Sequence, residues 1–264
     1  VVAVLARVVW QAPALHHAVL LVSAVAWLAG NVALALGRPG FEVMAPWTAF
    51  LVGTIAAERL ELTRVLPRST RSVAAFCVAM ALVFAGAGLA LAAPDAGVRV
   101  SAAGALGLSA WLWHADVARR TVRQRGLVRF IAVALLSGYA WLGVSGALGL
   151  AWGNPLAGPR YDALLHATFV GFVFSMVFGH APIIVPAVLG VRVPFHGRFY
   201  VHLGLLHAAL VVRLGGDVGS WPVVRQVGAW GNAAAVLLFV GSTALAARGR
   251  GKGVAAAPPR AAMS

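Results

Sequence analysis

The sequence predicts an all-α protein, a polytopic bundle of about eight transmembrane helices with its N-terminus and C-terminus in the cytoplasm. Of the 264 residues, 61% are hydrophobic and only 11% are charged, and the mean hydropathy is +0.88. Soluble domains are about half apolar and about a quarter charged, so a soluble core could not hide this much apolar surface. In addition, the apolar residues form long runs that are separated by short loops containing Arg, Gly and Pro.

Eight apolar runs are long enough to cross a bilayer, which takes at least about 17 residues. Turn-rich breaks such as GRPG, AAPDAG and WGNPLAGP separate them. The predicted spans are residues 14–36, 41–57, 72–93, 98–118, 127–152, 161–187, 198–214 and 222–247. We therefore expect a single transmembrane domain over residues 1–247. Residues 248–264 are basic and low in complexity, which predicts a disordered tail.

The distribution of basic residues predicts the orientation of the bundle. With the N-terminus in the cytoplasm, 16 of the 21 Lys and Arg residues fall in cytoplasmic segments. This bias agrees with the positive-inside rule. The same rule accounts for the net charge of +14, so we expect no nucleic-acid partner. The lipid bilayer is the predicted partner, and the predicted location is a cell membrane, most simply the bacterial cytoplasmic membrane.

Several chemistries are excluded by the residues that the chain contains. A single cysteine, Cys77, excludes disulfides and Cys-based zinc or iron–sulfur sites. A retinal Schiff base needs a lysine within a span, whereas the one lysine, Lys252, lies in the tail. The sequence also contains no Gly-rich phosphate loop and no HExxH motif.

The sixth span carries a histidine near each end, in the stretch LLHATFVGFVFSMVFGHAPIIVP. Imidazole is costly against lipid, so His166 and His180 are expected to face a partner, a cofactor or water. In an unbroken α-helix they would lie about 21 Å apart in depth and within about 40° of one direction. This predicts two imidazoles on one helix face at two membrane depths, which is what two stacked cofactors require.

Further histidines lie where they could complete these two sites. His202 and His207 on the seventh span are about 140° apart, so each would serve a different site. We predict an outer pair, His166 with His207, and an inner group, His180 with His202, which His114 or His17 would extend. An intramembrane histidine is often only a hydrogen-bond partner between helices. For His17, next to QAPAL, that interfacial interpretation is the better one. The predicted metal ligands are His114, His166, His180, His202 and His207.

Charged residues near these histidines suggest supporting roles. Asp162 precedes His166 by one helical turn, so it would orient the imidazole or simply favour the helix N-terminus. Arg213 would hold a haem propionate, because its guanidinium matches a carboxylate, or it would form an ion pair with Asp217. Asp116 would belong to a proton entry route or, as the better interpretation, to a salt bridge with a nearby arginine.

Two prolines follow His180 and predict a broken helix. Pro182 and Pro186 each remove a backbone donor, so we expect the helix to break near the inner boundary. A broken helix at membrane depth needs a buried or wet environment. The break therefore favours a functional inner site.

The segment HATFVGFVFSMVFGH resembles the b-type di-haem cytochromes, in which one membrane helix carries two axial histidines thirteen or fourteen residues apart. No second span here has that spacing. The wider pattern is a span with a histidine at each end, then an Arg- and His-containing loop and another His-bearing span. It is similar to the NnrS-type membrane proteins, which carry haem and copper and are linked to nitric oxide. These resemblances imply haem b as a cofactor, with copper as a further metal.

These observations favour one function and leave others open. The favoured function is a haem-binding or haem–copper membrane protein in electron transfer, or in redox chemistry on nitric oxide or oxygen, as an oxidoreductase or a subunit of one. Its partner would then be a redox protein or another electron donor, and the chain would also associate with copies of itself. The first alternative is a histidine-lined path for a metal ion or protons without a fixed cofactor. The second is a membrane subunit that anchors a redox partner.

Overall fold

The computed structural model describes residues 1–190 and 193–248, and over these residues the chain forms α-helices and no strand. The prediction of a disordered tail falls on residues that lie almost entirely outside these ranges. The helices are α1 (Val2–Gln11), α2 (Leu15–Ala35), α3 (Met44–Leu62), α4 (Thr70–Leu89), α5 (Pro94–Ala115), α6 (Ala118–Thr121), α7 (Gly126–Trp152), α8 (Pro159–His166), α9 (Phe174–Leu189), α10 (Phe199–Val218) and α11 (Pro222–Arg248). A short 3-10 helix covers Thr63–Val65, and a π-helix covers Ala167–Val173.

Within the described residues, six helices are long and apolar enough to cross a membrane. They are α2, α4, α7, the continuous helix Pro159–Leu189 formed by α8, the π-helix and α9, and then α10 and α11. The chain is therefore a multi-pass membrane protein of the all-α class. The other two predicted spans correspond to α3 and α5, which have 19 and 22 residues but are less apolar, α3 because of Glu58, Arg59 and Glu61, and α5 because of several Gly and Ser residues beside its two charges.

Glycines allow α4, α5 and α7 to pack with their backbones in contact. A Cβ added to Gly86 of α4 would lie 2.2 Å from the backbone nitrogen of Ser101 in α5. On the other side of α5, a Cβ on Gly146 of α7 would lie 2.8 Å from the backbone nitrogen of Leu106. Small residues at such crossings are how helices associate in membranes, where burial of apolar surface gives little drive.

The helices that carry the predicted ligands form the second half of the bundle. Their core is aromatic, with the side chains of Phe130, Phe178 and Phe199 fully buried between α7, α9 and α10. Outside this core, α11 presents large apolar residues such as Trp230 and Leu237 to the surroundings. Apolar side chains exposed along a whole helix face indicate contact with lipid.

The α-helix of the sixth predicted span is interrupted, but not at the position that its prolines suggested. The helix continues through Pro182 and Pro186 and ends at Leu189, where Gly190 adopts φ +66° and closes it in the left-handed conformation. The prediction of a break after His180 was therefore wrong. The irregularity is instead the π-helix Ala167–Val173, directly after His166.

Loops gather at two ends of the bundle. At one end, which we call the arginine-rich end, the α3–α4 and α5–α7 connections line one pocket, and the ring centroid of Phe195, before α10, lies 5.7 Å from that of Phe130 near the start of α7. At the opposite end, Arg38 of the α2–α3 loop donates to the backbone oxygen of Leu91 (2.9 Å). There the backbone of Asn154, after α7, also donates to Asp95 at the start of α5 (3.2 Å). The ends of α2, α4, α5 and α7 are thereby tied together.

Candidate histidine site and ionic cluster

His166 is the last residue of α8 and is held by its own helix. Its Nδ1 lies 2.8 Å from the backbone oxygen of Asp162 and 3.3 Å from Oδ1 of the same residue. A carbonyl oxygen can only accept, so Nδ1 carries the proton and Nε2 presents its lone pair. The Nε2 atom is not among the enclosed polar atoms. Asp162 therefore orients this imidazole in the way that carboxylates and carbonyls orient metal-bound histidines.

His180 has the same local arrangement at a second depth. Its Nδ1 lies 2.8 Å from the backbone oxygen of Met176, one turn earlier in α9. The Nε2 atom again carries the lone pair, and it too is outside the set of enclosed polar atoms. Both histidines of the sixth span thus have the tautomer that binds metals through Nε2.

The π-helix changes the direction in which these two histidines point. Each π turn closes one residue later than an α turn. One extra residue shifts the helical phase by about 100°, so the predicted 40° between His166 and His180 becomes about 140°. The prediction of one shared face assumed an unbroken α-helix. The two imidazoles lie at two depths but on different faces.

His202 is enclosed by phenylalanine rings. Only 2% of the residue is exposed, and the ring centroids of Phe178, Phe239 and Phe199 lie 5.1, 5.4 and 5.5 Å from its own. Its Nδ1 is 3.4 Å from Oγ of Ser242. Its Nε2 is buried and has no hydrogen-bond partner within the described residues. A ligand could reach this atom only after an aromatic ring moved.

His207 is oriented by a tryptophan of α7. The indole Nε1 of Trp141 donates to His207 Nδ1 at 3.0 Å. Because an indole nitrogen only donates, Nδ1 is the acceptor and the neutral ring carries its proton on Nε2. That Nε2–H is enclosed and lacks a partner in the part of the chain described. A metal-bound histidine shows the reverse arrangement, with its second nitrogen donating.

The predicted ligands do not converge on one metal site. Among residues 1–190 and 193–248, no group of three His, Cys, Asp or Glu side chains is placed to hold a metal ion. His114 is exposed at the end of α5, where its Nδ1 lies 2.8 Å from the backbone oxygen of Ala110. The pairings of His166 with His207 and of His180 with His202 stay predictions.

Arg213 is paired with a different carboxylate from the one expected. Its Nε and Nη2 donate to Oδ2 of Asp162 at 3.1 and 2.8 Å. Asp217 instead lies 3.1 Å from Nε of Arg225, which is also 3.5 Å from Asp162. We call Asp162, His166, Arg213, Asp217 and Arg225 the ionic cluster. It joins α8, α10 and α11 near the opposite end of the bundle.

Sequence reasoning missed Arg225 as a member of this cluster. It is one of the five basic residues that the predicted topology places outside the cytoplasm, and the sequence assigns it no further role. A useful hint was the scarcity of acids, since the whole chain contains seven Asp and Glu residues against 21 Lys and Arg. A buried carboxylate such as Asp217, whose side chain is fully enclosed, must then have a basic neighbour.

A second buried ion pair lies at the arginine-rich end. Arg59 donates through Nε and Nη2 to both carboxylate oxygens of Asp116, each at 2.8 Å. The hydroxyl of Tyr139 (3.0 Å) and the backbone nitrogen of Ala118 (2.7 Å) complete the carboxylate's shell. This network matches the salt-bridge interpretation of Asp116. Its full set of hydrogen bonds indicates a structural role.

A cavity of about 120 Å³ opens between α3, α4, α5, α7 and α8. Its wall includes Tyr161, Ser145 and Thr168, but none of the predicted ligands. Pockets that hold drug-sized ligands usually measure about 300–1,000 Å³. The cavity is therefore too small for a haem.

The six apolar helices and the polar groups buried between them define a multi-pass membrane protein with an ionic and histidine-rich interior. The chain belongs to DUF8744, a domain of unknown function whose family model matches residues 1–248. No curated protein and no solved structure matches the chain. The resemblances to di-haem cytochromes and to NnrS-type proteins stay predictions.

Proposed function

We propose that this chain is an integral membrane protein that binds haem b, or haem with copper, through intramembrane histidines. It would act in electron transfer or in redox chemistry on nitric oxide or oxygen. The observation that carries the proposal is the shared state of His166 and His180. Each donates Nδ1–H to a backbone carbonyl and leaves Nε2 accessible, at two depths of one membrane helix.

The other predicted ligands fit a cofactor less well in this conformation. The Nε2 atom of His202 has no hydrogen-bond partner within the described residues and so could bind a metal. It is enclosed, however, and phenyl rings fill the space around it. His207 would have to release Trp141 and change tautomer before Nε2 could bind a metal. A bound haem would be held chiefly by His166 or His180. Arg213 could reach a propionate only by sharing its bonds to Asp162.

The Nδ1 bond alone does not identify a ligand, because interfacial histidines form it as well. In His17 of α2, Nδ1 lies 2.7 Å from the backbone oxygen of Ala12. What separates His166 and His180 from it is their distance from the helix start, since His17 is the third residue of α2, whereas His166 and His180 are the 8th and 22nd residues of the helix Pro159–Leu189. His17 is therefore a matched control for the experiment.

Haem content of the purified variants tests the proposal. His166→Ala and His180→Ala should each lower the haem bound per protein by at least half, and the double variant should lack it. His17→Ala should keep the wild-type amount. If all three variants bind haem like the wild type, the proposed ligands are wrong. If the wild type binds none, the proposed function is wrong.

A second candidate function is a cofactor-free path for protons or a metal ion. It is favoured by three groups on α10 and α11 that are buried without hydrogen-bond partners within the described residues, namely His202 Nε2, His207 Nε2 and Asn232 Oδ1. Asp217 is buried as well, and Arg225 Nε lies 3.1 Å from its Oδ1, but its Oδ2 has no hydrogen-bond partner within the same residues. Such groups are costly unless water, an ion or a ligand satisfies them. A colourless protein whose proton flux in liposomes falls in an Asp217→Asn variant would support this function instead.

We propose further that α3 and α5 also cross the bilayer, which gives eight spans with both termini in the cytoplasm. The support is the packing of α5. This helix lies between α4 and α7, and hydrogen bonds join its two ends to the ends of those helices. Near one end, Trp111 of α5 donates to the backbone oxygen of Ser72 in α4 (2.8 Å). At the other end, Asp95 of α5 accepts from the backbone of Asn154, just after α7. Because both ends of α5 are bonded to the ends of spanning helices, α5 extends over the same distance as those helices.

A further inference from the structure

A pocket at the arginine-rich end is lined by basic side chains. It has a volume of about 550 Å³ and lies between the start of α4, the end of α5 and the short helix α6. Its wall includes His114 and Ser69, the residue that caps α4. Four arginines also contribute to the wall: Arg68, Arg119, Arg120 and Arg123.

The positive charge of this pocket is not compensated by acids. None of the four arginines takes part in an ion pair within residues 1–190 and 193–248. The acidic residue on the wall, Asp116, has both oxygens bound to Arg59 and is further bonded by Tyr139. Its charge is therefore already neutralised. The pocket attracts anions.

The side chain of Arg68 is fixed by two contacts, but one of its nitrogens has no hydrogen-bond acceptor within the described residues. Its Nη2 donates to the backbone oxygen of Leu60 (2.8 Å), and its guanidinium carbon lies 5.5 Å from the ring centroid of Trp111. Its Nε is enclosed and has no acceptor among the described residues. Burial lowers the pKa of Arg68, because the charged form has lost part of its hydration. An anion in the pocket would replace that lost hydration.

Hydrogen-bond donors of the α4 N-terminus face the same region. The Oγ of Ser69 accepts from the backbone of Ser72 (3.2 Å), so its hydroxyl proton is available to a ligand. The first backbone N–H groups of a helix have no partner within the helix and favour anions. Guanidinium forks, hydroxyls and helix N-termini are together the donors that recognise phosphate oxygens.

We propose that this pocket binds a phosphate group, carried either by the headgroup of an anionic lipid or by a soluble phosphate compound. The pocket lies where apolar helices end, with Trp113 of α5 exposed nearby as is usual at a membrane interface. Basic pockets between membrane helices at this level bind anionic headgroups. This site is separate from the proposed haem ligands His166 and His180, and it does not rest on the proposed function.

Thermal unfolding of the full chain in detergent tests the proposal. Three additions are compared: phosphatidylglycerol, phosphatidylcholine and inorganic phosphate. Bound phosphatidylglycerol should raise the melting temperature by about 2–4 °C over phosphatidylcholine. An equal, saturable rise with inorganic phosphate alone would support the proposal with a soluble source. No rise with either phosphate source would overturn it.

Matched variants distinguish the pocket from general surface charge. Arg119→Gln/Arg123→Gln removes two charges from the pocket and should abolish at least half of the rise. Arg64→Gln/Arg129→Gln removes two exposed charges at the same end but outside the pocket, and should keep the rise. An equal loss in both double variants would overturn the proposal.

Native mass spectrometry keeps the proposal testable should the pocket variant fail to fold. The wild-type protein should retain one phosphatidylglycerol in preference to phosphatidylcholine, or a phosphate adduct. Retention of neither would overturn the proposal.

Discussion

Asp116 is a buried charged residue whose role in this protein is structural. It is 2% exposed, yet both carboxylate oxygens are bonded, to Arg59, Tyr139 and the backbone of Ala118. The pair connects the end of α3 to the end of α5. A buried ion pair adds little stability over an apolar pair, but breaking it leaves one charge buried alone.

Asp116→Asn should therefore destabilise the protein strongly. It keeps the shape of the side chain but leaves the Arg59 charge uncompensated, which should cost about 3–5 kcal/mol of unfolding free energy. Chemical denaturation in detergent measures this loss. Asp95→Asn breaks the exposed pair with Arg99, while the amide oxygen can still accept from the backbone of Asn154, so it should change the stability by less than about 1 kcal/mol. Equal effects of the two substitutions would contradict the structural role of Asp116.

Trp141→Phe tests the bond that sets the His207 tautomer. The substitution keeps an aromatic ring and removes the indole N–H, so a part-buried acceptor is left unsatisfied. We expect a loss of about 1–3 kcal/mol in unfolding free energy. Trp113→Phe, at an exposed tryptophan of α5, is the control and should have no such effect. A neutral Trp141→Phe variant would show that the bond contributes nothing.

Residue partners were predictable only where they are close in sequence. Asp162 and His166 are one helical turn apart, so their contact follows from helix geometry alone. The partners of Arg213 and Asp217 were exchanged relative to the prediction, because they depend on how α8, α10 and α11 meet. Nothing in a local pattern reports which helices are neighbours.

At the scale of elements, each predicted apolar run corresponds to a helix, since run length and composition decide whether a segment stays in lipid. The interior of the sixth span was not predictable in the same way. Its prolines suggested a break after His180, but the helix accommodates them, and the π-helix begins after His166 instead. There, a Cβ on Gly171 would lie 2.5 Å from the Trp141 ring, so close packing accompanies the irregularity.

Two glycines of α4 allow a direct test of helix packing. Gly86→Ala places a Cβ 2.2 Å from the backbone nitrogen of Ser101, so α4 and α5 must separate, at a cost of about 1–3 kcal/mol. Gly88→Ala meets nothing within 4 Å and should be neutral or slightly stabilising. Melting temperatures in detergent compare the two. A tolerated Gly86→Ala would contradict the close α4–α5 contact.

At the scale of the whole molecule, composition was sufficient to predict a multi-pass helical protein. The number of spans follows less directly, because three charges in α3, and two charges with several Gly and Ser residues in α5, lower the hydropathy of these helices. Those charges are accommodated in pairs such as Arg59 with Asp116, which form only in the folded bundle. A hydropathy profile cannot show such pairs.

Cysteine labelling in membrane vesicles tests the topology of eight spans. On a Cys77→Ala background, single cysteines replace Gly40, Arg64, Ala92 and Gln124, which flank α3 and α5. If both helices cross the membrane, positions 40 and 92 should react from outside and positions 64 and 124 only from the cytoplasm. If neither crosses, position 64 would react from outside and position 92 from the cytoplasm.

The central claim is that intramembrane histidines bind a redox cofactor. The most direct measurement is the absorption spectrum of the purified, dithionite-reduced full-length protein, combined with iron and copper analysis of the same sample. The claim predicts a Soret band with resolved haem b bands and iron in near-stoichiometric amount. A colourless protein without iron or copper, even after incubation with haemin, would contradict it.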